Sequence, residues 1–227
     1  MATDVDICNL ALSRLGDDAT VTSIDPAEGS FQADRCATFY PLARDEMLET
    51  HPWAFALRRV EGTTIVMPDE ITTWQFGYQW PTSAMQVFAV IPPNALDNNA
   101  SPAATVFSSD GRLSTVLPSP STYSSQPFDV EILSDGSKVV LTNQEDAVLR
   151  YVQNITDTSK FSNLFIDALA WLLASKLAGP IYKGETGANM AAVCYKHYMI
   201  ALGKAQVHDV NQSHEDINHM PNWMNNR

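Results

Sequence analysis

Apolar residues recur with a helical period at both ends of the chain and with a two-residue period in its middle, and this change limits the possible folds. Near the N-terminus, Ile7, Ala11 and Leu15 follow one another at helical spacing. In the segment 74–80, aromatic residues alternate with glutamine or glycine, as in a strand with one buried face. The helical period returns over 162–207. The sequence therefore predicts an α+β fold, a mainly helical bundle with an inserted antiparallel β-rich lobe.

Two helices are predicted within residues 1–52. The first is capped by Thr3 or Asp4 and ends at Gly16, the residue type that most often follows a helix. The second begins after Ser30. Its apolar stripe comprises Cys36, Tyr40, Ala43 and Met47. Because Pro41 lies inside this stripe, we expect a kink or a break at about residues 37–41.

The inserted lobe is predicted over residues 53–155. It contains the alternating segment 74–80 and a second apolar strand, 85–91. Two Asp-Gly pairs, at 110–111 and 135–136, each lie between apolar stretches. Because Asp-Gly favours the positive backbone angles of tight turns, both pairs predict β-hairpins.

Two further helices over residues 156–207 are predicted to complete the bundle as an antiparallel pair packed on the first two. The third helix is apolar over a wide arc, which is typical of a helix buried on several sides, and Gly179–Pro180 is expected to end it. The fourth has an apolar stripe of Ala191, Tyr195, Tyr198, Leu202 and Ala205. Residues 208–227 are predicted to form an extended tail.

The tail carries an apolar cluster of Met220, Trp223 and Met224 in an otherwise polar segment. A tryptophan flanked by methionines is typical of a segment that fills a groove on another protein. Packing back onto the same chain and disorder are the two alternatives.

The chain is acidic, with 14 lysine and arginine residues against 26 acidic residues and a net charge of −12. This balance argues against nucleic-acid wrapping, which requires clustered cations. Residues 1–52 have a net charge of −7, whereas residues 156–207 have a net charge of +2. The asymmetry suits head-to-tail contacts between copies, and ordinary surface scatter explains it equally well. With no apolar run of about 18 residues and no basic N-terminus, neither a membrane protein nor a classically secreted one is expected.

No motif specific to catalysis, metal binding or cofactor binding is found. The segment 179–186 resembles a phosphate-binding loop, but Glu185 replaces the essential lysine. Asp45 and Glu49 lie one helical turn apart, which a solvated acidic face explains without a metal. The three cysteines fit no zinc spacing and are expected to be buried thiols. Paired catalytic carboxylates remain open, because they assemble across a fold.

The chain resembles the phage head-to-tail adaptor family, which includes podophage tail tubular protein A, in four segments of fixed order. These are ICNLALSRLGDDATVTSID, FYPLARDEMLETHPWAFALRR, WQFGYQWPTSAMQV and VVLTNQEDAVLRYVQNITDTSKFSNLFIDALAWLLASKLAGPI. The similarity extends over about residues 5–205. It lies in the order of structural elements and not in a catalytic fingerprint.

The resemblance implies a structural, non-enzymatic protein of the virion neck, made in the bacterial host cytoplasm. In such a protein, about a dozen copies form a ring that joins the portal protein to the tail tube or nozzle protein and continues the DNA channel. C-terminal segments of the family reach into the portal, which would give Met220, Trp223 and Met224 a docking role.

DNA must slide through such a channel without binding to its wall. A wall of carboxylates repels phosphates at short range and supplies no cations to replace the condensed counterions. The acidic candidates for this wall are Asp17, Asp18, Asp25 and Glu28. The alternative is that these four belong to an ordinary solvated loop.

Two other classes of function remain open. A cell-wall-degrading hydrolase of the phage tail would need paired carboxylates in a groove. A non-structural binding module would form a small stable oligomer with no affinity for portal rings.

Overall fold

The computed structural model describes residues 2–18, 20–93, 104–107, 113–116 and 126–212. Within these ranges the chain forms four α-helices and eight strands, with two helices before the strands and two after them. The predicted α+β class is confirmed.

The chain divides into two compact units. The helical unit comprises Met1–Arg58, Ser83–Gln86 and Val152–Gln212, and the β unit comprises, among the described residues, Arg59–Thr82 and Val87–Tyr151. Residues 53–58, 83–86 and 152–155, which the sequence assigned to the β lobe, therefore belong with the helices.

An aromatic cluster accounts for the placement of residues 53–58. The rings of Trp53 and Phe165 meet edge-on with their centroids 5.0 Å apart, and Phe55 lies 5.1 Å from Phe165. Trp53 is buried, and its indole N–H donates a 2.7 Å hydrogen bond to the carbonyl of Met47. These contacts hold the chain on the helical core after Pro52.

Helices α1 (Asp4–Leu15) and α2 (Phe31–Thr50) begin where the sequence predicted. Thr3 caps α1 in a capping box with Asp6, and Ser30 caps α2 through the backbone N–H of Ala33. Helix α1 ends at Gly16, whose φ of 76° lies in the left-handed region that favours glycine.

Of the kink or break predicted at about residues 37–41, the break is wrong, because α2 continues through Pro41. Proline removes one backbone hydrogen bond and costs about 3 kcal/mol in a helix interior. The apolar stripe on both sides of Pro41, namely Cys36, Tyr40, Ala43 and Met47, is buried in one core. Burial of that stripe outweighs the local cost of the proline.

The predicted stop at Gly179–Pro180 is also wrong, because α3 (Asn163–Tyr182) continues one further turn to α4 (Gly184–Val210). Lys183 separates the two helices with a φ of 51°, and its N–H bonds the carbonyl of Gly179. The hydroxyl of Tyr182 donates to the carbonyl of Leu15 and fixes this last turn on α1.

Helix α3 lies in the middle of the helical unit and packs on α1, α2 and α4. Its buried residues face several directions, as predicted. Within the described ranges α3 alone is long and apolar enough to cross a membrane, with a mean hydropathy of 1.5. Half of that stretch is buried inside the protein.

The core stripe of α4 differs from the predicted one at Tyr195, which is 49% exposed. The buried positions are Gly187, Cys194, Tyr198, Ala201, Leu202 and Ala205. Helix α4 also extends through Val210, three residues into the predicted extended tail, because no helix breaker precedes Asn211.

The strands are β1 (Leu57–Glu61), β2 (Phe76–Gln79), β3 (Ala84–Ile91), β4 (Ala104–Phe107), β5 (Leu113–Val116), β6 (Phe128–Ile132), β7 (Lys138–Thr142) and β8 (Val148–Gln153). Their sheet orders are β1-β8-β3, β2-β7-β6 and β4-β5. Both predicted hairpins are confirmed by the antiparallel pairs β4/β5 and β6/β7. Gly136 has a φ of 84° in the second turn, whereas residues 110–111 lie outside the described residues.

Tyr78 organises the core of the β unit, where it is fully buried. Its hydroxyl donates to the carbonyl of Gln144 at 2.8 Å and accepts from the N–H of Ala147 at 3.2 Å. A Cβ at Gly62 would lie 2.4 Å from the Tyr78 ring, so only glycine fits there.

Candidate interaction surfaces

The four acidic candidates lie together on the connector between α1 and α2. Asp18, Asp25 and Glu28 are exposed, and Asp17 is half-buried. Asp17 accepts a 3.2 Å hydrogen bond from the side-chain amide of Gln32 at the start of α2. The connector therefore presents at least three carboxylates to solvent.

Glu28 also has a structural role in this connector. Its carboxylate accepts hydrogen bonds from the N–H of Thr22 at 2.9 Å, from the Thr22 hydroxyl and from the Ser30 hydroxyl at 2.9 Å. These donors stabilise the charged form and hold the pKa of Glu28 below its usual value. Glu28 thus joins the middle of the connector to the cap of α2.

Asn9 fixes the same connector to α1. Its side-chain amide donates to the carbonyl of Val21 at 2.9 Å, and its carbonyl oxygen accepts from the N–H of Val21 at 2.8 Å. Val21 and Ile24 are buried in the helical core. The acidic side chains therefore extend from a loop that is anchored at several points.

The predicted docking residues Met220, Trp223 and Met224 lie outside the described residues. The last described residue is Gln212, two positions after the end of α4.

A second surface is formed by the side of α4 that points away from the core. We call it the α4 outer face. It comprises Val193, Lys196, Met199, Ile200, Gly203, Lys204 and Val207. Each of the four large apolar side chains is at least 52% exposed. The arcs of the buried and outer residues have centres about 180° apart at 3.6 residues per turn, so α4 is apolar on two opposite sides.

A shallow, open depression of about 550 Å³ lies at the C-terminal end of the α4 outer face. It is lined by Ile200, Gly203, Lys204, Val207, His208 and Asn211. A Cβ placed on Gly203 would meet no atom within 4 Å. The helix could accept a larger residue at this position, so the fold itself does not require the depression.

Helix α2 has its own exposed side, which we call the α2 outer face. It comprises Phe31, Asp34, Arg35, Thr38, Leu42, Asp45 and Glu49. Phe31 is 45% exposed and Leu42 is 57% exposed. Arg35 lies over the Phe31 ring at 5.0 Å, and Asp45 pairs with Arg44 at 2.8 Å. The face combines two large apolar side chains with three acidic residues and one basic residue.

The three cysteines are buried free thiols, as predicted. The hydrogen bond shared by Cys8 and Cys36, together with burial, raises the pKa of the Cys8 thiol. Burial also raises the pKa of Cys194. The protonated, buried thiols of Cys8 and Cys194 are therefore poor nucleophiles and poor metal ligands. Within the described part of the chain, no three His, Cys, Asp or Glu side chains gather as metal ligands.

Sequence reasoning located the acidic connector but missed the α4 outer face. The signal was available, because Val193, Ile200 and Val207 repeat every seven residues, about 100° around the helix from Cys194 and Ala201. It was missed because one apolar stripe is sufficient to explain an amphipathic helix. No family model matches this chain, and no curated protein matches it.

Proposed function

We propose that this chain is a structural head-to-tail adaptor of a tailed bacteriophage. It forms a ring that joins the portal protein to the tail tube or nozzle protein and continues the DNA channel in the virion neck. The observation that carries the proposal is the α4 outer face, an apolar surface on the side of the helix away from its own core. Such surfaces mark sites of contact with other proteins.

The order of helices and strands supports the same function. The adaptor resemblance implies a bundle with an inserted β-rich lobe, and the chain has two helices on each side of its strands. The two described units differ in composition, since one holds all four helices and the other holds most of the strand residues. This arrangement gives one chain separate parts with which to contact separate neighbours.

The charge distribution supports a passive channel. The net charge of −12 and the exposed acids of the anchored connector suit a wall along which DNA slides. Carboxylates repel phosphates over a Debye length of about 8 Å at physiological salt. Asp18, Asp25 and Glu28 are the proposed channel-facing groups, and Asp17 lies beside them.

Electron microscopy of the purified protein mixed with its cognate portal tests the proposal. We expect one additional ring on one end of the portal. Portal particles that stay unchanged at saturating protein would contradict the adaptor function. Release of sugars from purified cell walls by the same preparation would favour the hydrolase alternative.

The proposed role of the C-terminal segment has its own test. A chain ending after Gln212 keeps every described helix and loses Met220, Trp223 and Met224. We expect it to unfold at the same temperature as the full chain but to lose binding to the portal. A full-length M220A/W223A/M224A variant is the matched control for the three side chains. Unchanged portal binding by both would assign docking to another surface.

A further inference from the structure

We infer that the α4 outer face of one copy packs against the α2 outer face of the next copy. The inference rests on the proposed function in that it names the contact between neighbours of the proposed ring. Helices α2 and α4 belong to the same unit, and their exposed sides face in different directions.

The α4 outer face offers an apolar depression, and the α2 outer face offers an exposed apolar side chain. The α4 outer face has a depression at Gly203 between Ile200 and Val207, and the α2 outer face has Leu42 protruding with 57% exposure. An apolar side chain that fills a concave apolar site is the usual anchor of a protein interface.

The charges of the two faces are opposite. Lys196 and Lys204 lie among the apolar residues of the α4 outer face, and the acid Glu185 lies on the same side of the helix about three turns before Lys196. The α2 outer face has Asp34 and Glu49 against a single Arg35, and its third acid, Asp45, is already paired with Arg44. Two α4 faces would bring lysines together, and two α2 faces would bring acids together, whereas an α4–α2 contact pairs opposite charges.

The placement of the helices makes this contact repeatable. Helices α2 and α4 each pack on α3 far more extensively than on each other. Their outer faces therefore belong to different sides of the helical unit. A contact between two different faces is heterologous, so each copy keeps one face of each kind free for the next copy. Repetition of such a contact closes a ring when the rotation per copy fits.

Disulfide trapping tests the contact with single-cysteine additions to the full chain. We expect a linked pair when I200C and L42C are mixed under mild oxidation, and none when either is oxidised alone. Links in I200C alone would show an α4–α4 contact, and links in L42C alone would show an α2–α2 contact. Either result, or no link in the mixture, would overturn the inference.

Two controls separate a docked pair from random collision. The parent chain reports on the three native cysteines, which are buried. The variant S13C, on the exposed side of α1, is mixed with I200C in place of L42C. An equal yield with S13C would assign the links to collision. An intrachain link in I200C/M220C at high dilution would assign the α4 outer face to the chain's own tail and also overturn the inference.

The depression and the charges can be tested separately. Adding G203L to the I200C chain fills the depression without crowding the fold, and we expect linking to the L42C chain to be lost. Adding K196E/K204E to the I200C chain should slow linking by about tenfold, and adding D34K/E49K to the L42C chain should restore it. If none of these changes alters the rate or yield of the disulfide link, the proposed geometry is contradicted.

Failure of this contact is distinguishable from failure of the adaptor function. If G203L protein still adds a complete ring to the portal, the adaptor function stands and the α4–α2 contact is wrong. If the mixture links as expected but the wild-type chain ignores the portal, the contact stands and the adaptor function is wrong.

Discussion

The imidazole of His51 lies 3.1 Å from the carboxylate of Asp209, which joins the end of α2 to the last turn of α4. The same carboxylate accepts hydrogen bonds from the backbone N–H of Ala54 at 3.1 and 3.2 Å. Asp209 is only 12% exposed in this position. The Asp209 carboxylate therefore pairs with both the His51 ring and the backbone N–H of Ala54.

Replacement of Asp209 by alanine should destabilise this junction. The change removes the carboxylate acceptor of the Ala54 N–H, which is exposed, so water can replace it and we expect a loss of about 0.5–1.5 kcal/mol. We expect a lower free energy of unfolding and faster hydrogen exchange at Ala54. The D209N variant keeps an oxygen acceptor and should protect Ala54 better than D209A. Equal exchange in both variants would contradict the role of the carboxylate.

Arg14 should contribute to the packing of α1 on α3. It donates to the carbonyl of Asp167 at 2.7 Å and to its carboxylate, and its guanidinium lies 4.3 Å from the Trp171 ring. Burial lowers the pKa of Arg14, and Asp167 opposes this effect. R14M keeps the apolar stem but loses these bonds, and we expect a loss of about 1–3 kcal/mol in urea unfolding.

Arg35 provides the matched control for this substitution. It also lies over an aromatic ring, that of Phe31, but on the exposed side of α2. R35M should change the free energy of unfolding by less than about 0.5 kcal/mol. Equal effects at the two positions would mean that burial of Arg14 adds nothing.

Two glycines of α4 should respond in opposite directions to alanine. A Cβ at Gly187 would lie 3.0 Å from the carbonyl oxygen of Ala178 and 3.3 Å from the Cα of Gly179. G187A must therefore push α4 away from α3, and we expect a loss of about 1–3 kcal/mol. G203A meets nothing and should gain about 1 kcal/mol from helix propensity. Thermal unfolding of the two variants compares them directly.

The stability of the helical unit should fall at alkaline pH because of Tyr198. Burial raises the pKa of Tyr198 to about 12, from an ordinary value of 10.0. The unfolded chain therefore loses this proton first, so the contribution is complete below pH 10 and is lost as the pH rises towards 12. Y198F should remove this part of the alkaline loss. Y195F, at an exposed position, should leave it unchanged.

The connector should loosen in acid because of Glu28. Its pKa is lowered from 4.5 by the hydroxyl and N–H of Thr22 and by Ser30. The stabilisation is therefore present above pH 4.5 and is lost as the pH falls through the lowered value. Hydrogen exchange of the Thr22 amide should rise in that range, and E28Q should show fast exchange at neutral pH. The exposed D25N is the control.

The sequence predicted the starts of α1 and α2 and the end of α1, where the caps are local. Thr3, Ser30 and Gly16 act through bonds within a few residues, so their identity is sufficient. The hairpin at Asp135–Gly136 follows the same logic. The break expected at Pro41 and the stop expected at Gly179–Pro180 are wrong, because burial in a shared core outweighs the local cost of the proline.

The candidate surfaces were predictable to unequal degrees. The connector acids are evident from charge alone, but the bonds of Glu28 to Thr22 and Ser30 depend on how the loop folds back. The α4 outer face required knowledge of which side of α4 meets α3. Tyr195 and Tyr198 are both plausible core residues in the sequence, and only the packing places Tyr195 outside.

The position of α3 between α2 and α4 has a consequence for assembly size. Its buried residues include Ala168, Ala170, Ala174 and Ala178, whose small side chains allow the neighbouring helices to approach closely. The way in which α2 and α4 pack on α3 fixes the angle between the α2 outer face and the α4 outer face. If copies join through those faces, that angle determines the rotation from one subunit to the next. A bulkier residue on α3 would change the rotation and thereby the number of subunits in the ring.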